Sequence, residues 1–242
     1  MKNLTKKLLA VALPVSALTI GSGANALTLT FDEDFIDHGT IINEQYADLG
    51  VSISAVNNSR GPDLAVAYDT TARPANRFTN RDADLTGDFG TGNALIIQEN
   101  RFCSYTKCYL ADDEGSRPSG SLFFSFDYVI NSFSFDFIDI EEPEVTGAEI
   151  RYFDDSSNVV GSISFDSLDE VVFGDNTFNS TDDISLAGLG VTTLEFVLGG
   201  SGALDNISVS TVPLPASASI FALGLFGLQA FRRRMQKKTK AA

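Results

Sequence analysis

Short runs in which apolar and polar residues alternate constrain the fold of this 242-residue chain most strongly. Successive side chains of a β-strand point to opposite faces of its sheet, so a period of two indicates a strand with one buried face. The runs lie at 27–31, 51–55, 122–128, 133–137, 159–165 and 194–198. Clusters of Gly, Asn, Asp, Ser and Pro separate them, and residues 27–211 show no helical period of useful length. The pattern predicts one all-β domain over 27–211, an antiparallel β-sandwich of jelly-roll type.

Phenylalanine is predicted to fill the core of this sandwich. Most of the 19 phenylalanines fall on the inward positions of the runs, and large aromatic side chains dominate the energetics of protein cores. The third-last run predicts Phe133, Phe135 and Phe137 on one buried face. In the run 159–165, Val159, Ile163 and Phe165 are expected to share another.

Charge is distributed very unevenly along the chain. Residues 1–26 carry three lysines and no acid, and residues 212–242 carry six basic residues and no acid. Eight of the 17 basic residues and all 32 acids therefore lie in 27–211, which has a net charge of −24. Such a domain repels phosphate backbones, which argues against nucleic-acid binding. With one histidine and two cysteines, the chain also cannot supply a His/Cys zinc cluster,.

The N-terminal 26 residues are predicted to be a secretory signal peptide. A basic start is followed by a short apolar stretch at 8–20 and by the small-x-small pattern Ala24-Asn25-Ala26. This is the pattern of a cleaved signal, so we expect the mature chain to begin at Leu27. An uncleaved N-terminal anchor is the alternative.

The C-terminal 31 residues are predicted to be a membrane-directed tail. Val212-Pro213-Leu214-Pro215 precedes an apolar helix at 216–231, and Arg232-Arg233-Arg234 opens the basic tail 232–242. Sixteen helical residues span roughly 24 Å, slightly less than the ~30 Å hydrocarbon core of a bilayer. The arginines favour a cytoplasmic end, which places the acidic domain outside. By composition alone this is a tail anchor.

A Pro motif, a short membrane helix and an arginine cluster in this order resemble a PEP-CTERM sorting signal, with Leu214 where the motif usually has Glu. The resemblance implies processing by signal peptidase and then by an exosortase, an integral-membrane enzyme of Gram-negative bacteria. Cleavage near the motif would release the domain to the cell surface or to an exopolysaccharide matrix. An ordinary membrane-anchored periplasmic domain is the alternative.

The middle of the chain also resembles a recurrent domain of exported PEP-CTERM proteins. The matching segments are Phe31-Asp32, Gly39-Thr40, Gln45-Tyr46, Leu49-Gly50-Val51, Gly61-Pro62-Asp63-Leu64, Asp69, Asp82-x-Asp84-Leu85, 93–98, Asp112-Asp113-Glu114 and Leu204-Asp205-Asn206-Ile207. It is similar to jelly-roll carbohydrate-binding modules at the level of the fold alone. No activity follows from either resemblance.

Cys103 and Cys108 are predicted to form a structural disulfide. Exported proteins fold under oxidising conditions, and the two thiols are five residues apart,. A pair of reactive thiols is the alternative. The cysteines lie in one of two long loop regions, 57–93 and 100–120, and loops of this length are often functional.

Two groups of acids are candidates for calcium, which takes oxygen ligands. Asp82, Asp84, Thr86 and Asp88 resemble the first half of a calcium loop, although Asn93 stands where such a loop closes with Glu. An acidic surface loop is the alternative.

The second candidate is centred on Asp205, which is expected to point inward with Ala203, Ile207 and Val209. An inward carboxylate must be paired, hydrogen-bonded or metal-bound. By resemblance to jelly-roll modules, calcium would tie Asp205 to Asp32 and Glu33. The alternative is an aspartate held by backbone hydrogen bonds at a bend.

These observations predict a non-enzymatic, exported surface or matrix protein that associates with exopolysaccharide. One alternative is a carbohydrate-binding module with a loop-borne sugar site near Tyr105 and Tyr109. Another is a glycan hydrolase that uses two of the acids. Against it, the acids at 141–144 and 154–155 are predicted to be solvated turns, and His38 an exposed loop residue.

Overall fold

The computed structural model describes residues 26–71, 85 and 89–211. Twelve β-strands, one short α-helix and two 3-10 turns (Ala47–Leu49 and Phe165–Ser167) form within these residues. The strands are β1 Ala26–Leu29, β2 Val51–Asn57, β3 Ala65–Asp69, β4 Asn93–Ile97, β5 Gly120–Phe126, β6 Ile130–Ile138, β7 Glu149–Asp154, β8 Val159–Ser164, β9 Phe178–Ser180, β10 Ile184–Ser185, β11 Val191–Leu198 and β12 Ala203–Thr211. Helix α1 is Glu142–Val145.

The strands form two antiparallel sheets, which confirms the predicted all-β class and the β-sandwich. The first sheet has the order β10-β6-β12-β4-β3, with β1 also paired to β12 and β9 to β6. The second has the order β2-β5-β11-β7-β8. Strand β12 is therefore central, since it pairs with β6 on one side and with β4 and β1 on the other.

The core between the sheets is built from phenylalanine rings, as predicted. Phe133, Phe135 and Phe137 of β6 are almost completely buried. The ring of Phe135 lies 4.9 Å from that of Phe196 on β11, and the two are edge to face. Within the described residues the clear exceptions are Phe35, Phe102 and Phe178, which are exposed.

A second apolar cluster covers the opposite face of β3 and β4. Val66, Tyr68, Ala94 and Ile96 point away from the main core and pack against residues of the long loops. Those loop residues are Ile41, Leu85, Cys108 and Ala111. Because these strands are buried on both faces, they read as unbroken apolar runs without alternation.

The prediction for Val159 is wrong. Val159 is exposed, while Phe165 is fully buried and Ile163 packs against the core. The β7–β8 pairing shifts register between Tyr152 and Phe153. This irregularity in the pairing interrupts the simple period of two at the outer end of β8.

Several predicted segments lie outside the described residues. They are the signal peptide up to Asn25, the tail from Val212 onward, and the proposed calcium loop at Asp82, Asp84, Thr86 and Asp88. In the part of the chain that is described, no helix is both long and apolar enough for a bilayer crossing.

Candidate functional site

The disulfide hairpin, residues 100–110, is the most prominent loop feature of the molecule. The Cys103–Cys108 disulfide is formed, as predicted. The backbone N–H of Tyr109 donates to Phe102 O at 2.8 Å, and that of Ser104 donates to Lys107 O at 2.7 Å. The two arms therefore pair as an antiparallel ladder with its turn at Tyr105 and Thr106.

Backbone hydrogen bonds attach this hairpin to the sandwich. Cys108 N–H donates to Gly39 O at 2.7 Å, and Ile41 N–H donates to Thr106 O at 3.0 Å. The Gln98 side-chain amide donates to Asn100 O and Leu110 O at the base, at 3.0 and 2.9 Å. Because both arms and the disulfide are fixed, the hairpin presents its outer side in a defined shape.

Three aromatic rings project from the hairpin into solvent. The exposed fractions are 66% for Phe102, 101% for Tyr105 and 60% for Tyr109. Phe102 and Tyr109 face each other across the ladder on the side opposite to the buried Cys108. We call Phe102, Tyr105 and Tyr109 the aromatic platform. The sequence singled out Tyr105 and Tyr109 but missed Phe102, whose place in a long loop was its only signal.

Asp205 is fully buried, but not on the face that the sequence predicted. It pairs with Asp136 of β6, whereas Ser208 pairs with Ser134, so β12 has one extra residue between these positions. Asn206, with φ 48°, occupies this bulge. Asp205 consequently shares the outer face of the first sheet with Ala203, while Ile207 and Val209 face the main core,.

The surroundings of Asp205 are acidic. Its carboxylate accepts hydrogen bonds from the Asn206 N–H at 2.7 Å and from the Asn206 side-chain amide at 3.3 Å. Burial is the largest cause that raises the pKa of Asp205, and together with the negative charges of Asp32, Asp136 and Glu33 it brings the pKa to about 8 against the opposing effect of the Asn206 N–H,. Asp32 and Glu33 therefore act on Asp205 electrostatically, and their sharing of a cation with it stays a prediction.

The strand end that carries Asp32 and Glu33 is held rigidly. Asp32 accepts the Asn93 N–H at 2.7 Å, and Glu33 accepts the Tyr46 hydroxyl at 2.7 Å. Gly92 lies directly against the Asp32 carboxylate, because a Cβ atom there would be 2.3 Å from Asp32 Oδ1. Burial raises the pKa of Asp32 as well.

The described residues contain no group of three or more His, Cys, Asp or Glu side chains that is arranged to hold a metal ion. A cation beside Asp205 would therefore need oxygen ligands beyond these carboxylates, which calcium accepts from amides, carbonyls and water. The calcium interpretation of Asp32, Glu33 and Asp205 remains a prediction.

His38 is not the exposed loop residue that the sequence predicted. Its Nδ1 accepts the Asp69 N–H at 3.1 Å, and its ring packs edge to face on Tyr68 at 5.1 Å. Its Nε2 is buried without a hydrogen-bond partner. Burial lowers the pKa of His38, which favours the neutral imidazole. Its contacts with Tyr68 and Asp69 attach the 38–41 segment to β3.

A groove of about 610 Å³ lies on the outer face of the second sheet. Arg151 crosses its floor and donates to Glu149 Oε1 at 2.7 Å and to Glu195 Oε2 at 3.4 Å. Ser121 donates to the other oxygen of Glu195 at 2.8 Å. Glu195, which lines this groove, and the neighbouring Glu149 are thus both engaged by one guanidinium.

The acids at 141–144 are not all solvated, contrary to the prediction. Glu144 is buried, and Arg117 Nη2 donates to its carboxylate at 3.2 Å. Glu144 also accepts the Glu141 N–H at 3.2 Å and so caps α1,. Asp154 and Asp155 are outside the core at a turn, as predicted.

Comparison with known proteins adds little to this geometry. A scan against models of protein families gives no match, and a search of curated proteins gives none. Among solved structures, the chain is similar to the K1 cleaved adhesin domain of Lys-gingipain from Porphyromonas gingivalis W83, with 7% identity, coverage of 78% of this chain and 99% of that one, and a TM-score of 0.40.

Two further similarities are of the same kind. A cyclase from Fischerella sp. TAU has 14% identity over 78% of this chain and 98% of its own, with a TM-score of 0.39. The CBM22-1–GH10 modules of Clostridium thermocellum xylanase 10B, solved with xylohexaose, have 11% identity over 72% of this chain and 28% of their own, with a TM-score of 0.34. Similarities at these TM-scores carry no argument about function.

Proposed function

We propose that this protein is an exported, non-enzymatic surface or matrix domain that associates with exopolysaccharide through the aromatic platform. The observation that carries the proposal is the exposure of three aromatic rings on one disulfide-closed hairpin. Exposed apolar groups that cluster on a soluble domain mark interaction sites. Aromatic rings, and tyrosines above all, offer an apolar face beside a polar edge, which suits the mixed surface of a sugar ring.

The attachment of the hairpin supports binding without large rearrangement. The disulfide and the hydrogen bonds to Gly39 and Ile41 fix the backbone before any ligand arrives. A preorganised loop loses less conformational entropy on binding, so more of the contact energy appears as affinity.

The groove on the second sheet supports the non-enzymatic part of the proposal. A glycan hydrolase of the usual kind needs a pair of carboxyl groups in which one donates a proton. Glu149 and Glu195 are both engaged by Arg151, and Ser121 also donates to Glu195. Neither is placed as a free proton donor.

Replacing all three platform rings, as in F102A/Y105A/Y109A, is expected to weaken binding to exopolysaccharide from the producing organism by at least about tenfold. Stacking contacts of this kind contribute on the order of 1 kcal/mol per ring. The measurement is affinity electrophoresis or calorimetry with the purified polymer. The rings are exposed, so the melting temperature is expected to stay within about 2 °C.

Phe178→Ala serves as the matched control, because it removes a half-exposed ring from β9, outside the hairpin. We expect it to bind like the wild type. Equal binding by the triple variant and the wild type would contradict the proposal, and so would equal losses in the triple variant and in Phe178→Ala.

Delivery to the surface is the second part of the proposal, and it depends on the two termini. The intact mass of the protein recovered from producing cells, with its termini mapped, is expected to show Leu27 as the first residue and an end near Pro213–Pro215. Signal peptidase and an exosortase would be the processing partners. Retention of residues 232–242 would instead indicate a plain membrane anchor and remove the basis for matrix release.

We also propose that calcium binds beside Asp205, with Asp32 and Glu33 as the other candidate carboxylates. Support comes from a fully buried aspartate whose neighbouring charges are all negative. A divalent cation would offset this charge and would join the end of β1 to β12.

A further inference from the structure

The described part of the chain contains four arginines, and they fall into two pairs with different surroundings. Arg117 pairs with Glu144 at 3.2 Å, and Arg151 pairs with Glu195 at 3.4 Å. Arg60 and Arg101 are exposed and form no ion pair within residues 26–71, 85 and 89–211. Two unpaired guanidinium groups are unusual in a domain with 32 acids and eight basic residues.

These two arginines are neighbours and lie beside the aromatic platform. Arg101 Nε donates to the Arg60 backbone oxygen at 2.9 Å, which joins the hairpin to the 58–61 segment. Arg101 directly precedes Phe102 in the first arm of the hairpin. The guanidinium of Arg60 and the remaining guanidinium edge of Arg101 are exposed and make no hydrogen bond to other described residues.

The hairpin itself carries basic residues and no acid. Residues 100–111 contain Arg101 and Lys107 and no acid, whereas residues 27–211 as a whole have a net charge of −24. Lys107 is 3.9 Å from Asp37, a long contact that leaves its amine partly exposed. At physiological salt, charges more than about 8 Å apart are largely screened, so Arg60, Arg101 and Lys107 act on the platform together with the acids at the base of the hairpin, Glu99 and Asp112.

From this juxtaposition we propose that the hairpin binds an acidic polysaccharide, with Arg60 and Arg101 receiving its carboxylate or sulfate groups while the platform rings pack on its sugar rings. Guanidinium groups bind such anions through two parallel hydrogen bonds, which gives them an advantage over lysine. The inference rests on the proposed polysaccharide association and specifies its ligand class and its selective residues.

The test compares the wild type with R60Q/R101Q for binding to a polyuronate and to a neutral glucan, using the protein as it is purified from producing cells. The double variant is expected to lose at least about tenfold in affinity for the polyuronate and to change less than twofold for the glucan. Wild-type affinity for the polyuronate is expected to fall with added salt, and the dependence is expected to be weaker in the variant.

Two further variants separate local recognition from net charge. S52E/S54E makes the same change in net charge on the exposed positions of β2, and we expect it to bind the polyuronate within twofold of the wild type. R60K/R101K keeps the charge but removes the guanidinium fork, so we expect it to recover only part of the lost affinity.

The outcomes distinguish this inference from the proposed function. Unchanged polyuronate binding by R60Q/R101Q, together with a loss in F102A/Y105A/Y109A, would overturn the acidic ligand class and leave polysaccharide association intact. No binding of the wild type to either polymer or to the native exopolysaccharide would overturn the proposed function itself. A further outcome is that the wild type binds a single-stranded nucleic acid more tightly than the polyuronate and that this binding depends on the two arginines. This result would assign the hairpin to another class of polyanion and overturn the inference.

Discussion

Asp205→Asn is expected to raise the melting temperature in chelator at pH 8 by roughly 10–20 °C and to abolish the stabilisation that calcium gives the wild type. The folded state without a cation holds a buried carboxyl group with a pKa of about 8, against 3.8 for an ordinary aspartate. Each pKa unit corresponds to about 1.4 kcal/mol, and 1 kcal/mol shifts the melting of a domain of this size by roughly 2–4 °C. An amide removes the cost of ionising this group and retains most of its shape.

The pH dependence of this effect has a definite sign. Because folding raises the pKa of Asp205, its favourable contribution is complete below pH 3.8 and is lost as the pH rises toward about 8,. The advantage of Asp205→Asn over the wild type in chelator is therefore expected to be small at pH 4.5 and largest at pH 8. Thermal melts across this range measure it directly.

Calcium is expected to reverse the order of the two proteins. A cation that binds the ionised carboxylate stabilises only the folded wild type, so at millimolar calcium and pH 8 the wild type is expected to melt above Asp205→Asn. Asp155→Asn, an identical change at an exposed turn, is the control and is expected to follow the wild type. A wild type that melts at the same temperature in calcium and in chelator would contradict the calcium proposal.

Phe135→Ala is expected to destabilise the domain by about 3–5 kcal/mol, which is the usual range for a phenylalanine truncated in a packed core. The Phe135 ring is in contact with four other rings, and their centroids lie between 4.9 and 6.1 Å away: Phe133, Phe137, Phe165 and Phe196. Phe196 lies on β11, and Phe165 directly follows β8, which is also a strand of the second sheet. The truncation therefore opens a cavity between the sheets. Chemical denaturation with an unchanged m-value would measure the loss.

The same substitution at Phe178 provides the comparison. Phe178 is 37% exposed, so its loss is expected to cost much less than that of Phe135. Similar losses at the two positions would mean that Phe135 is not the centre of the core, and the packing between the sheets would have to be reconsidered.

The alternation of residue types predicted several of the strands whose two faces differ, although β7, which also alternates, was missed. β2, β5, β6 and β11 each place one face in the core and carry more polar residues on the other, so their apolar positions recur at every second residue,. β3 and β4 were missed for a physical reason. Loop residues bury their outer face, and a strand that is buried on both sides shows no period of two,.

The sequence predicted the chemical groups of the candidate site better than it predicted their positions in the fold. The disulfide was predicted from two thiols in a chain expected to be exported, and the buried state of Asp205 from its apolar neighbours. Its face was wrong because one extra residue at Asn206 inverts the side-chain order, which composition does not show. The contact between Arg60 and Arg101 joins residues 41 positions apart, and only the folded loops bring them together.

The central place of β12 has a consequence for the order in which the domain assembles. Without Ala203–Thr211, the first sheet falls into three separate parts. These are β6 with β9 and β10, the pair β3 and β4, and β1, and each is joined to the others through β12. The partner of Ala26 is Ser210, close to the end of the described chain, and contacts between such distant residues form slowly. In a chain synthesised or threaded across a membrane from its N-terminus, this sheet can close only after its final strand has emerged. The topology itself thus delays the closure of the first sheet until β12 is available.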